Sequence, residues 1–370
     1  MYPFKYGGPQ EAIYHIVREL SNSTDINFRI FLRLYENNFK KDVLHDLRNV
    51  EIVPFVIKTG EEIKLLYASS KLVVKSRDLD MIHYNAPPYF LDVPALKLLK
   101  KPVTFDFHGG LFAENLFEDS FSLRLAASIL KNTFKLTAPL FSKVIAHSQY
   151  MKETAISYGV PENRIEIIPI GINLEEFDNA KEILLEGDPT LLFVGRLERI
   201  KGCHVLLQTL PEVIKEYPKL RLYIIGKGPM ESYLKNLASK LEVSKNVCFE
   251  GNVTRETLLS YYKSVDLCTF PSTYNEGFGI TVLEAMAARR AVIASSTGGM
   301  KERIVSGVDG YLVNRNDVHD LTEKILQLLN DNNLREMLAR NAYETTKKYD
   351  WHIISENYKN VLVSVVESTE

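Results

Sequence analysis

Two carboxylates, Glu276 and Glu284, are spaced by seven residues in the run NEGFGITVLE at 275–284. The polar, glycine-broken half of that run reads as a loop and the apolar half as the start of a helix. The first turn of a helix leaves backbone N–H groups without carbonyl partners, and small residues let an anion approach them. Gly277, Phe278 and Gly279 sit where such donors would be. Helical side chains lean toward the N-terminus of their helix, so Glu284 looks back toward the same anion. One element therefore pairs donors for a phosphate with two acceptors for hydroxyl groups. A sugar nucleotide needs that combination.

Cations stand at a comparable place. The strand TLLFV runs into Gly195, Arg196 and Leu197, and Lys201-Gly202 opens the next helical pattern. A guanidinium can grip two phosphate oxygens and an ammonium supplies a point charge, so Arg196 and Lys201 suit a diphosphate. Gly226-Lys227-Gly228-Pro229 follows the strand LRLYII, and Gly7-Gly8 precedes Pro9 and a helix. Both are glycine-rich helix starts of the kind that cradles phosphate, with Gly8 and Gly226 as backbone contacts. His108 ends the strand VTFDF and precedes Gly109-Gly110, a place from which it could contact a sugar or stabilise developing charge. His147 also ends a strand and competes for that role, whereas His83 lies mid-strand and His15 on a helix, both structural positions. No Ser–His–Asp arrangement is identifiable. Asp78-Leu79-Asp80 has the aspartate-x-aspartate spacing used to hold a divalent ion, but it precedes its strand and reads as a solvated loop. No metal is expected, so charge neutralisation falls to Arg196, Lys201 and helix N-termini.

The elements that must position these residues alternate along the whole chain. Short β-branched runs at 28–34, 52–57, 81–84, 103–107, 144–147 and 165–170 predict one set of strands; 190–194, 221–225, 246–250, 267–270, 292–294 and 311–313 predict another. Helical patterns lie between them, as at 10–20, 202–216, 230–240, 255–263 and 321–329. This alternation predicts an α/β protein of two doubly wound, Rossmann-like domains facing each other across a cleft, because twelve strands exceed one such sheet. The first domain is placed at 1–172 and the second at 186–350, with the seam in 171–188. Ligands of such sheets bind beyond the carboxyl ends of the strands.

Composition narrows the class. The 370 residues are 45% hydrophobic and 25% charged with a formal charge of −2, which gives no reason to expect nucleic acid as a partner. Three cysteines without metal-ligand spacing suit a reducing cytoplasm. No apolar run reaches membrane-spanning length, and the first residues carry no signal core. Residues 121–143 hold Arg124, Lys131, Lys135 and Lys143 among many apolar residues and no acid; such a basic amphipathic helix could make peripheral contact with a membrane or pack on a core.

On these motifs (Gly7-Gly8, DFHGG, VGRL with Lys201-Gly202 after it, GKGP, and NEGFGITVLEAMA) the chain resembles the retaining glycosyltransferases of family four, also called glycosyl transferases group 1. The resemblance runs from residue 3 to about 315. It implies the two-domain GT-B fold, completed by a last helix at 351–370 that returns to the first domain. Arg196, Lys201 and the backbone near Gly8 would bind the donor diphosphate. Glu276, with the amides of Phe278 and Gly279, would hold the transferred sugar, Glu284 the ribose, and His108 would contact the sugar near the reacting carbon. The family works without a metal or other cofactor and transfers to glycan, lipid-linked or small-molecule acceptors. Three departures stand out. The family's opening strand is absent ahead of Tyr2, which suggests a natural start about ten residues earlier, the length of a buried strand and its lead-in. Arg289 stands where a glycine usually caps the helix after Glu284, at a cost of about 1 kcal/mol. Ile170 and Asn173 replace more polar residues near the hinge.

Other activities fit less well. A glycosidase with Glu276 and Glu284 as paired carboxylates would need them across a scissile bond about 5–10 Å wide, whereas here the second acid lies inside a helix beside an anion site. A catalytically weak or non-catalytic sugar-nucleotide-binding protein of the same fold is the main alternative. A pyridoxal-dependent phosphorylase has no supporting motif.

Overall fold

In a computed structural model, residues 8–23, 26–34, 49–56, 72, 74–85, 92–108, 128 and 131–368 are described. The chain divides into two units, one of Met1–Gly171 and Trp351–Glu370, the other of Ile172–Asp350. All described strands pair in parallel.

In the first unit, helix α1 (Gly8–Ser23) precedes β1 (Phe28–Leu34) and β2 (Val50–Val56), which form a two-stranded sheet in register Phe28↔Val50 to Leu34↔Val56. A four-stranded sheet follows in the order β3 (Ile82–Tyr84), β4 (Val103–Phe107), β5 (Lys143–Ala146) and β6 (Ile165–Ile167). No strand among the described residues joins the two sheets. Every residue of β4 is buried, as expected of a parallel strand covered on both faces. The strand expected over 165–170 stops at Ile167, ahead of Pro169, which has no N–H for a ladder. Helix α2 (Asp92–Leu98) leads into β4, and α3 (Gln149–Ser157) starts on Ser148, whose hydroxyl accepts from the Met151 amide.

The C-terminal helix Trp351–Glu367 packs on α1 through Ala12, Ile16, Leu20, Trp351, Ile354 and Tyr358. His15 stacks on Trp351 at 5.1 Å and is a core histidine. Gly171 lies so close that a Cβ there would stand 2.4 Å from the Trp351 ring. Of the basic helix expected over 121–143, residues 121–127 and 129–130 lie outside the described residues, whereas 131–137, with Lys131 and Lys135, are helical and run into a 3-10 turn at Ala138–Leu140. Of its named cations, Lys143 belongs instead to β5, where it pairs with Glu166 at 2.6 Å. Asp78 is ion-paired with Arg29 of β1 at 2.8 Å, so this half of the aspartate-x-aspartate run is tied down rather than simply solvated. No helix among the described residues is long and apolar enough to cross a membrane.

The second unit is one six-stranded sheet in the order β12 (Tyr311–Val313), β11 (Ala291–Ser295), β10 (Leu267–Phe270), β7 (Thr190–Val194), β8 (Arg221–Ile225) and β9 (Val247–Gly251). The chain starts at the centre with β7, builds outward through β8 and β9, then returns to the other side of β7 with β10. The strand order therefore reverses between β7 and β10. Crevices at such a reversal, beyond the carboxyl ends, are where open parallel sheets take ligands. Helices α4 (Leu174–Asp178), α5 (Cys203–Glu216), α6 (Glu231–Lys240), α7 (Arg255–Ser264), α8 (Ile280–Ala287), α9 (Val318–Asn330) and α10 (Asn332–Thr346) complete the unit. Leu206, Leu210, Leu222, Ile224, Ile293 and Ile325 are fully buried at its core.

The chain leaves helix α8 through Arg289, two residues past its end, which takes φ +57°. The Arg289 amide donates to Met286 O and the Arg290 amide to Ala285 O, the paired bonds of a left-handed helix cap. An arginine tolerates that backbone because its guanidinium pairs with Asp178 at 2.9 Å and lies 3.7 Å over the Tyr343 ring.

Candidate functional site

Beyond the carboxyl end of β7 the chain forms a short 3-10 turn, Arg199–Lys201, before α5. Lys201 thus ends that turn rather than opening the helix. Gly202 follows with φ +73°, and a Cβ there would stand 1.7 Å from the Pro271 carbonyl oxygen, just past β10. Only glycine allows the two loops to touch so closely. The Thr273 amide donates to Ile200 O at 2.8 Å, and its hydroxyl to Arg199 O at 3.1 Å. These contacts fix the β7 loop against the β10 loop.

Lys201 and Glu276 meet across that junction. The ammonium lies 2.7 and 2.9 Å from the two oxygens of Glu276, and Ser272 Oγ donates to the first at 2.7 Å. The Glu276 backbone is clamped too: its carbonyl accepts from the Gly299 amide at 2.7 Å. Directly at the reversal in strand order, a cation and a carboxylate are held half-buried and opposite in charge.

Arg196 is three-quarters exposed, at 76%, and pairs with Glu198 at 2.6 Å, so it is not gathered into this cluster. Gly226, φ +130°, allows β8's loop to approach β7's: a Cβ there would lie 2.0 Å from Gly195 O. Gly279 N-caps α8 with φ +85° against Met300, and the amides of Phe278 and Gly279 donate to no acceptor among the described residues. Phe278 itself is buried, with the Arg303 guanidinium 4.5 Å over its ring. Gly277 lies between Glu276 and this amide pair.

Glu284, in the second turn of α8, is 8% exposed and does not stand alone. One oxygen takes the Arg255 guanidinium and the other a hydrogen bond from Tyr262 OH at 3.0 Å. Arg255 also reaches Glu176 at 3.2 Å, so two carboxylates share one cation. Each carboxylate oxygen of Glu284 keeps a second lone pair, which a ribose hydroxyl could still use.

In the first unit, Gly8 begins α1, while Gly7, Gly109 and Gly110 lie outside the described residues. His108 follows β4 and His147 follows β5. Offered by the sequence as alternatives, they are partners: His108 Nδ1 faces His147 Nε2 at 3.2 Å. His108 Nε2 lies 2.9 Å from Asn85 Oδ1, and His147 Nδ1 donates to Ile168 O at 2.9 Å. Beneath them Asp106 is fully buried, accepting from Tyr358 OH at 3.2 Å and lying 3.3 Å from His83 Nε2. Burial, with the nearby His147 charge adding to it, pushes the His108 imidazole down to about 3 and keeps it neutral. Asp106, His108 and His147 bring ligand-type atoms within 4.8 Å. The two imidazoles turn those nitrogens toward each other, which makes the cluster a hydrogen-bonded chain rather than an open set of donors.

A parallel sheet whose reversal carries a cation–carboxylate pair and a glycine-led helix start, in a chain with a second parallel-sheet unit, is the layout of GT-B glycosyltransferases. Solved structures agree. HepE of Anabaena in complex with UDP superposes with a TM-score of 0.77 at 20% identity, over 97% of this chain and 96% of that one. Sucrose-phosphate synthase of Thermosynechococcus elongatus gives 0.77 at 21% identity, over 98% and 94%. The description "Glycosyl transferases group 1" matches residues 175–345, and "Glycosyltransferase Family 4" matches 6–176. The chain belongs to the group 1 glycosyltransferases. An uncharacterised glycosyltransferase of Methanocaldococcus jannaschii is 34% identical over 238 residues, 61% of this chain and 60% of that relative. A second from the same organism is 28% identical over 95% of the chain and 92% of its own length. The phosphatidyl-myo-inositol mannosyltransferase of Mycolicibacterium smegmatis is 28% identical over 86% and 83%.

Sequence reasoning missed Arg255, Tyr262, Ser272, Asp106 and Tyr358. Arg255 and Ser272 each follow a strand's carboxyl end, so the rule that selected Arg196 would have found them. Asp106 was visible as an acid inside an apolar strand. Tyr262 and Tyr358 sit on helices whose partners only the packing reveals.

Proposed function

We propose that the chain transfers a sugar from a nucleoside diphosphate donor, UDP- or GDP-linked, to a hydroxyl of a glycan, lipid-linked or small-molecule acceptor. Transfer retains the anomeric configuration and needs no metal ion. The observation that carries this reading is the Lys201–Glu276 pair at the β7/β10 reversal, with the Phe278 and Gly279 amides, which donate to no acceptor among the described residues, beside it. Lys201 neutralises the diphosphate and Arg196 swings to join it. Glu276 and the two amides hold the sugar, and Glu284 accepts from the ribose hydroxyls. His108 contacts the sugar near the reacting carbon.

In the step itself, the bond from the anomeric carbon to the phosphate oxygen breaks as the acceptor oxygen bonds on the same face. The acceptor proton passes to the departing phosphate oxygen. Charge growing on that oxygen is what Lys201 stabilises, so its effect is larger in the transition state than in the ground state. UDP and UDP-glucose bound to HepE support a UDP-linked donor, and the mannosyltransferase relatives leave a lipid-linked acceptor in view. The three free cysteines, two of them buried, suit a reducing cytoplasm. Peripheral membrane contact through 121–143 would follow from a lipid-linked acceptor.

Screening by thermal shift against UDP-, GDP- and ADP-sugars, followed by product analysis, tests the reading. A donor at about 100 times its Kd stabilises the fold by about 2.7 kcal/mol, a clear rise in Tm. Release of free sugar at full rate without an acceptor would make the protein a hydrolase. Binding without any transfer would make it a sugar-nucleotide sensor.

A further inference from the structure

Arg303 lies past the carboxyl end of β11 and is 6% exposed. Arginine is almost never buried so deeply without partners, and those of Arg303 come from three segments. Its Nε donates to Gly299 O at 3.4 Å and its Nη1 to Tyr349 OH at 2.9 Å, while Nη2 lies 3.3 Å from the Glu302 carboxylate. The guanidinium also sits 4.5 Å over the Phe278 ring and 5.2 Å over that of Tyr349, and the two rings meet edge to face at 6.3 Å. Packing alone gives no reason for a cation here, because an apolar side chain would fill the space without desolvating a charge.

These contacts close a circuit behind the donor loop. The Gly299 amide donates to Glu276 O at 2.7 Å, so Arg303 is tied to the Glu276 backbone through one residue. On its other side it lies on the Phe278 ring. Lys201 and Ser272 hold the Glu276 side chain. The Phe278 and Gly279 amides, by contrast, donate to no acceptor among the described residues, and Gly279 takes φ +85°, where glycine moves freely. Their direction therefore follows from how the buried Phe278 ring is seated. A cation over the ring adds attraction beyond packing, and a guanidinium adds directed hydrogen bonds that an aliphatic chain lacks.

We propose that Arg303 is a positioning residue of the donor site: by joining the Phe278 ring to the Gly299–Glu276 contact, it keeps the Phe278 and Gly279 amides turned together toward the diphosphate and the sugar it carries. Arg303 acts through Phe278 and not on the ligand itself. What the amides bind rests on the transferase reading; their ordering by Arg303 does not.

Gly-Phe and Phe-Gly each occur once in the chain, at 277–278 and 278–279. The full chain labelled with carbon-13 at glycine carbonyls and nitrogen-15 in phenylalanine therefore shows the Phe278 amide as a single line, and the converse labelling shows Gly279. Each should be one sharp line in the ligand-free wild type. Arg303→Met keeps an apolar stem without the cation, and should broaden or split both lines while glycine lines outside the loop stay in place. Arg303→Lys returns a cation and should recover part of the sharpness. Tyr349→Phe keeps both rings, removes the acceptor of Nη1 and should lose part of it. In calorimetry Arg303→Met should weaken UDP-glucose by about tenfold or more and leave UMP, which has neither the outer phosphate nor the sugar, within about twofold. If Arg303→Met does not fold, Tyr349→Phe carries both readouts with smaller effects. Unaltered lines in Arg303→Met or in Tyr349→Phe, or equal losses for UDP-glucose and UMP alongside a lower Tm, overturn the proposal. A wild type that binds neither nucleotide would sink the donor reading alone, since the ligand-free lines still decide whether Arg303 orders the amides.

Discussion

Glu276→Gln should tighten the binding of UDP, the nucleotide without its sugar, even as it slows transfer. The Lys201 ammonium is committed to Glu276 at 2.7 and 2.9 Å. A diphosphate must share that ammonium with a carboxylate and also face the carboxylate's charge. Two unit charges about 5 Å apart at an effective dielectric of about 20 interact by about 3 kcal/mol, an upper bound. Lys201 and Glu276 are 29% and 20% exposed, so solvent screening reduces the net figure to about 1 kcal/mol, or about fivefold in Kd. Lys201→Met does the opposite. It removes a charge-assisted bond worth about 1.5–3 kcal/mol and leaves the Glu276 carboxylate facing the phosphates with Ser272 as its side-chain partner among the described residues. UDP affinity should fall about 10- to 150-fold. The double variant should bind UDP better than Lys201→Met alone, because the uncompensated carboxylate is gone. Titration calorimetry of the four proteins with UDP, with EDTA present, reads the whole cycle. Weaker UDP binding by Glu276→Gln, or a double variant that binds UDP no better than Lys201→Met, would refute the reasoning.

Other residues give separate tests. Glu284→Gln keeps an acceptor for Tyr262, and Arg255 keeps Glu176, so the fold should lose about 1–3 kcal/mol rather than unfold; UDP and its 2′-deoxy analogue should then bind about equally in calorimetry. Gly202→Ala forces a Cβ into the Pro271 carbonyl at a left-handed φ, and denaturant unfolding should show a loss of about 3 kcal/mol or more. Arg289→Gly relieves about 1 kcal/mol of left-handed strain but loses the Asp178 pair and the Tyr343 contact, so its stability should match the wild type within about 0.5 kcal/mol. Burial opposes ionisation of Asp106, but the facing imidazoles of His83, His147 and His108 outweigh it and hold the carboxyl below the usual carboxylate range, so its stabilising contribution is full above that range and is lost as pH falls through the depressed value; Asp106→Asn should flatten that last part of the acid-unfolding curve.

Much of the second unit was legible because its signals are local. β-Branched runs end in glycine loops, and those loops mark the carboxyl ends of parallel strands. Lys201 was singled out by that rule, and Glu276 and Glu284 by their spacing about a glycine-broken helix start. Their partners were not, because Arg255–Glu284 depends on how two helices pack and Ser272–Glu276 on how one loop folds back on itself. The His108–His147 contact joins residues on neighbouring strands β4 and β5, and strand order is not written in either segment. The end of β6 was misread because β-branched isoleucines continue past Ile167, while Pro169 limits the ladder. Lys143 was misassigned because a basic residue at a strand start looks, in one dimension, like the last turn of an amphipathic helix.

A crystal structure with UDP, grown and soaked in EDTA, tests the central claim most directly. The account predicts the diphosphate within hydrogen-bond distance of Lys201 Nζ and the Phe278 and Gly279 amides, with the ribose on Glu284. Nucleotide bound away from the β7/β10 loops, or bound there only when manganese replaces the chelator, would contradict it.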